Sequence, residues 1–162
     1  MAILHIQYSG QGIAPNGQPV QIDPRQLIAM RGPVVSVSIK VPPEIAEILT
    51  KESKPIPQPI SGFGLIDTGA SSSCIDHAAA KALGLPVVNV IKMASATHEA
   101  VDTNVYPLSF DILGGAQITV NCPRAAGAAL ANQQLVLLIG RDLLANSHFT
   151  YNGPTGQFTI CF

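Results

Sequence analysis

The chain has 162 residues, a length that suggests one domain. Hydrophobic residues make up 47% and charged residues only 12%, about half the usual charged share, and mean hydropathy is +0.32. Such a chain is expected to bury apolar surface against a partner; its net charge of -1 with scattered Lys and Arg leaves no basic footprint for nucleic acid.

Three cysteines, Cys74, Cys122 and Cys161, are an odd number and fit no zinc spacing. They read as buried or half-buried free thiols of a reducing compartment. The first residues, Met1-Ala2-Ile3-Leu4-His5, carry no basic segment and no long apolar core, unlike a signal peptide. The longest apolar run, Leu135 to Ile139, is far too short to span a bilayer. A cytoplasmic protein without membrane contact is expected.

In chain order, Ala2 to Tyr8 alternates loosely and reads as a strand. Pro15-Asn16-Gly17 is a turn signal, after which Val20 to Asp23 returns as the second arm of a hairpin. For Pro24 to Met30 a helical turn and a loop fit equally. Val34 to Val41 is β-branched and alternating, the clearest strand. Pro42-Pro43 ends it and opens a helix to Lys51, with Ile45, Ile48 and Leu49 at helical spacing. Pro55, Pro57 and Pro59 exclude a central strand and imply an extended connection. Ile60 to Ile66 is a strand that runs into Asp67.

Ser71 to Ile75 reads as a loop and short strand. Asp76 is placed to cap a helix over His77 to Leu83, which Gly84 and Pro86 terminate. Val87 to Met93 is a strand, Ala94 to His98 a small polar tip, and Glu99 to Val105 leads away from it. Val105 to Ile112 is a strand, turned by Gly114-Gly115 and answered by Gln117 to Asn121. Pro123 to Asn132 reads as an Ala/Gly-rich loop, with or without a helical turn. Leu135 to Ile139 is a fully buried strand, Arg141 to Asn146 a short helix, and Phe149 to Tyr151 pairs with Gln157 to Phe162 in a closing hairpin. Many short strands with two or three short helices make a mostly β, barrel-like single domain.

Two stretches carry the chemistry. Leu65-Ile66-Asp67-Thr68-Gly69-Ala70 is a strand that ends on a carboxylate inside a tight turn. Leu135 to Ile139 then leads into Gly140-Arg141-Asp142-Leu143-Leu144. Together they resemble the two halves of the retropepsin signature of single-domain aspartic proteases: Asp-Thr-Gly, and a strand followed by Gly-Arg-(Asp/Asn)-Leu-Leu. The resemblance covers roughly residues 31–162 and implies an acid-protease β-barrel; residues 1–30 are an N-terminal extension outside it.

Peptide hydrolysis by carboxylates needs two of them, because close like charges cannot both ionise and one keeps its proton. The ionised group takes a proton from water and the protonated one donates to the scissile carbonyl. Asp-Thr-Gly occurs once here, and Asp102-Thr103-Asn104 lacks the glycine. The second Asp67 must therefore come from a twofold-related copy. The resemblance implies an obligate homodimer acting on a peptide or protein, without cofactor or metal.

By the same resemblance Thr68 ties the two loops across the twofold axis, and Gly69 lets substrate approach. Ser95, Ala96, Thr97 and His98 stand where the family carries its flap, without the family's tip glycines. Gly140, Arg141 and Asp142 are structural support, with Asp76 or Asp142 as the partner of Arg141. A serine in place of Ala70 could donate to the ionised pair; without one, the activity optimum is expected at mildly rather than strongly acidic pH. A pH–rate profile that peaks well below about pH 4 contradicts this.

Other readings compete. Taken alone, Asp67 is an ordinary turn residue. His5, His77, His98 and His148 share no metal spacing. Ser71-Ser72-Ser73 lacks the Gly-x-Ser-x-Gly turn of a nucleophile, and Cys74 reads as a small buried residue rather than a redox sensor. The rival functions are a weakly active or inactive dimerisation or peptide-binding module, and a precursor shielded by its first thirty or so residues.

Overall fold

The computed structural model describes residues 2–95, 98–115 and 118–162. The N-terminal part holds β1 (Ile3–Gln7), β2 (Gln11–Ile13), β3 (Pro19–Gln21) and α1 (Pro24–Arg31). β4 (Val34–Lys40), α2 (Pro43–Lys51), β5 (Ile60–Ile66), β6 (Cys74–Asp76) and α3 (His77–Ala82) follow. Next come β7 (Asn89–Ser95), β8 (His98–Leu113), β9 (Ile118–Ala128), β10 (Leu137–Ile139) and α4 (Arg141–Leu144). β11 (His148–Asn152) and β12 (Gln157–Cys161) close the chain.

The main sheet has the strand order β4-β5-β10-β6-β9-β8-β7, and β4 also pairs with β8. That extra pairing closes the sheet into a barrel and leaves β7 as a hairpin arm on the far half of β8. Alternation dictates the filling: Val35, Val37 and Ile39 of β4 are buried, while Ser36 lies on the outer face. They meet Ile66, Ile75, Leu108, Phe110, Ile112, Leu137 and Ile139 in one core. Each such side chain contributes about 1.5–3 kcal/mol by leaving water.

A second sheet has the order β1-β12-β11. Leu4 sits opposite Ile160 and Ile6 opposite Phe158. Leu4, Ile28, Phe158 and Ile160 all belong to the barrel's core cluster, so the first thirty residues are packed into the same core. The Tyr8 hydroxyl donates to Gly32 O at 2.7 Å and accepts from Val34 N at 3.1 Å, stapling this segment to the start of β4. No helix among the described residues is long and apolar enough to cross a membrane.

The structure decides one open local reading and corrects others. Pro24 to Met30 is helical: Asp23 caps it, accepting from Arg25 N at 2.9 Å, and Pro24 takes the first turn. With Pro43–Lys51, His77–Ala82 and Arg141–Leu144 it makes four α-helices among the described residues, where two or three were expected. The arm at Val20 pairs with β2, not with Ala2 to Tyr8, because β1 is taken up by the C-terminal strand. Residues 123–128 continue β9 instead of looping, with Ala125 and Ala126 buried. Small side chains are needed there: a Cβ on Gly127 would lie 2.6 Å from His77 Cε1 and 3.1 Å from Tyr106 Cε2. The strand expected from Leu135 is confined to Leu137–Ile139, and Leu138 is half-buried.

Asp76 fastens α3 to the turn after β9. Its Oδ1 accepts from Ala78 N and Ala79 N, and its Oδ2 from Leu130 N and Ala131 N, both at 3.0 Å. Burial opposes its ionisation, but these backbone donors more than offset that and hold the carboxyl below its usual value. A group so depressed stabilises the fold above its unfolded-state value, near 4, and loses that contribution as pH falls through the folded-state value. Asp76→Ala is therefore expected to cost about 2–4 kcal/mol near neutrality and to flatten the acid limb of stability. Urea titrations across acidic to neutral pH read both effects.

Candidate active site

Two parallel strands end side by side and set the site. In the β5–β10 pair, Leu65 lies opposite Leu138 and Ile66 opposite Ile139. One residue further, Asp67 N donates to Ile139 O at 2.9 Å. The chain then turns: Ala70 N reaches Asp67 O at 3.3 Å, and Asp67 Oδ1 accepts from Gly69 N at 2.8 Å and Ala70 N at 3.3 Å. Oδ2 makes no hydrogen bond among the described residues. Asp67 is half-buried, and Thr68 and Gly69 are exposed. A Cβ on Gly69 would sit 3.1 Å from Asp67 Oδ1, tight enough to displace the carboxylate.

The second block braces this turn from beneath. Arg141 N donates to Ala70 O at 3.0 Å. Ser73 Oγ accepts from Gly140 N at 2.9 Å and donates to Asp142 Oδ1 at 2.7 Å, and Ser73 N reaches Asp142 Oδ2 at 3.0 Å. Leu143 N closes the network on Asp142 Oδ1 at 2.9 Å. Ser73 is wholly buried, so its hydroxyl is the hub of the two loops. Sequence reading placed it in a polar loop; its one signal was a hydroxyl next to a run of buried residues.

Gly140 is required by closeness. A Cβ there would lie 2.6 Å from Ser72 C, 2.7 Å from Ser72 O and 2.9 Å from Ser73 N, all backbone atoms that cannot swing aside. Gly140→Ala is expected to destabilise by about 1–3 kcal/mol or more through overpacking and to spread the Asp67 turn. Thermal melting checks the loss of stability; an unchanged melting temperature contradicts it.

Arg141 is exposed and forms no ion pair among the described residues. Neither expected partner engages it: Asp142 is taken by Ser73 and Leu143, and Asp76 by backbone amides. Its guanidinium instead makes a long 3.5 Å contact to Thr68 O. Of the flap residues, Ser95 and His98 are paired across β7 and β8, while Ala96 and Thr97 lie outside the described residues.

Cys74 and Cys122 are buried beside the site and Cys161 elsewhere, all as free thiols. Burial pushes Cys74 up to about 11, with the Asp142 and Asp67 charges adding to it, and burial likewise raises Cys122 to about 11. Such thiols are poor nucleophiles near neutrality.

No protein-family model matches the chain, and no curated protein matches it. Solved structures do. The chain is similar to the EIAV protease complexed with the inhibitor HBY-793: 21% identity, TM-score 0.41, over 70% of this chain and 86% of that one. It is similar to a retropepsin-like aspartic protease from Rickettsia conorii: 12% identity, TM-score 0.43, over 98% and 91%. It is also similar to the retroviral protease-like domain of Ddi1 from Leishmania major: 16% identity, TM-score 0.38, over 74% and 81%.

Proposed function

We propose that the chain is a retropepsin-like aspartic endopeptidase that works as a homodimer, its catalytic dyad built from Asp67 of each subunit. The observation that carries this is the presentation of Asp67. Its carboxylate is held by one oxygen in a braced, half-buried turn, with the other oxygen left open. Asp76 and Asp142 are spent on structural bonds. A twofold axis through this turn supplies the missing acid and buries the open oxygen.

In that dimer the two carboxyls share one proton. The ionised one draws a proton from water as it attacks the scissile carbonyl, and the protonated one donates to the carbonyl oxygen. Thr68 ties the two loops and Gly69 leaves room for the substrate backbone. Ser95 and His98, paired across β7 and β8, mark the base of the proposed flap, and Gly140, Arg141 and Asp142 hold the turn. The catalytic machinery lies within residues 31–162. Three free thiols suit a reducing compartment such as the cytoplasm.

Digestion of a diverse peptide library across acidic to neutral pH tests the reading. Endoproteolytic cleavage is expected, with apolar residues flanking the cut. Peptide binding without cleavage at every pH replaces the enzyme by a peptide-binding module.

A further inference from the structure

Beside the loop that follows the Asp67 turn lies a cavity of about 310 Å3. Ile91 of β7, Val105 of β8, Ala126 of β9 and Leu143 of α4 wall it, and Ser72 borders it on the loop side. None of residues 67–70 lines it, so it suits a side chain displaced along a bound peptide from the scissile bond. Two charged residues, Arg124 and Asp142, also line it. Asp142 is committed, accepting from Ser73 N, Ser73 Oγ and Leu143 N. Arg124 is exposed and forms no ion pair among the described residues.

The placement of Arg124 is built into the strand. Ile118, Val120 and Cys122 of β9 point inward, and strict alternation would send Arg124 inward too. The register of β9 on β8 instead jumps, from Leu108 opposite Cys122 to Tyr106 opposite Ala125. Pro123 and Arg124 together face Pro107, and both are exposed. This is a β-bulge, seated where both strands carry a proline that cannot donate to the ladder. It leaves Arg124 exposed and in the lining of the cavity.

We infer that this cavity is a substrate subsite for a glutamate side chain of an extended peptide; the inference rests on the proposed peptidase reading. The apolar walls cover the two methylene groups, and Arg124 holds the carboxylate in a charge-assisted pair. A Glu-to-Gln change in the peptide is expected to weaken binding about tenfold. The preference shrinks with added salt and fades below about pH 4 as the glutamate protonates.

The probe is a panel of fluorescein-labelled decapeptides with two central apolar residues and Glu, Gln or Lys placed in turn at each flanking position. Binding is read by anisotropy on full-length Asp67→Asn, which separates recognition from turnover. At one or two positions Glu should bind about tenfold tighter than Gln. That preference should vanish in Asp67→Asn/Arg124→Gln and turn toward Lys with Arg124→Glu, with melting temperatures unchanged. Equal binding of Glu and Gln peptides at every position, survival of the preference in Arg124→Gln, or no binding at all overturns the subsite. Wild-type digestion of the same panel is scored separately. No cleavage with a glutamate preference retained sinks the peptidase alone, and cleavage without that preference sinks the subsite alone.

Discussion

Under the proposed dyad, Asp67→Asn is expected to lower peptide hydrolysis by at least about 10²–10⁴-fold while leaving the fold and the proposed dimer intact. The amide oxygen of Asn can still accept from Gly69 N and Ala70 N, which hold the turn through Asp67 Oδ1 in the native chain. What the substitution removes is the exchangeable proton and negative charge that the proposed pair would share. The effect should fall on kcat, with thermal melting and sedimentation unchanged. Substantial activity in the variant would place the chemistry elsewhere.

Deletion of residues 2–30 is expected to abolish cooperative folding. It removes β1, the partner of β12, together with the buried side chains Leu4, Leu27 and Ile28. At about 2 kcal/mol each, those side chains alone exceed the lower end of a domain's roughly 5–15 kcal/mol stability. The Tyr8 bridge between Gly32 and Val34 goes with them. Circular dichroism and denaturant titration of the truncated chain read the outcome. A stable, more active truncated species would support a removable precursor segment instead.

The elements legible in the sequence were those governed by local rules. Alternation along Val34–Lys40, the Asp76 cap and the strand running into Asp67 follow from residue type and spacing alone. What sequence reading missed depends on partners distant in the chain. Nothing near Ile3–Gln7 announces that its ladder lies at Gln157–Cys161. The Ala/Gly composition of residues 123–128 resembles a loop until His77 and Tyr106 are seen to need that space. The resemblance gives Arg141 an acidic partner, but the side chain lies at the surface, where a charge is solvated and needs none. The site divided in the same way: Asp67 is visible as a motif, whereas Ser73 becomes a hub only when the two loops meet.

Completion of the site by a symmetry mate is tested most directly by subunit mixing. Wild-type protein at fixed concentration is re-equilibrated with increasing Asp67→Asn chain, and peptide cleavage is followed while sedimentation confirms mixed dimers. Hydrolysis should fall steadily toward zero as wild-type subunits are drawn into hybrids that hold a single Asp67. Hydrolysis that stays constant at large excess of the variant, with hybrids present, would mean that one subunit suffices and would contradict the shared dyad.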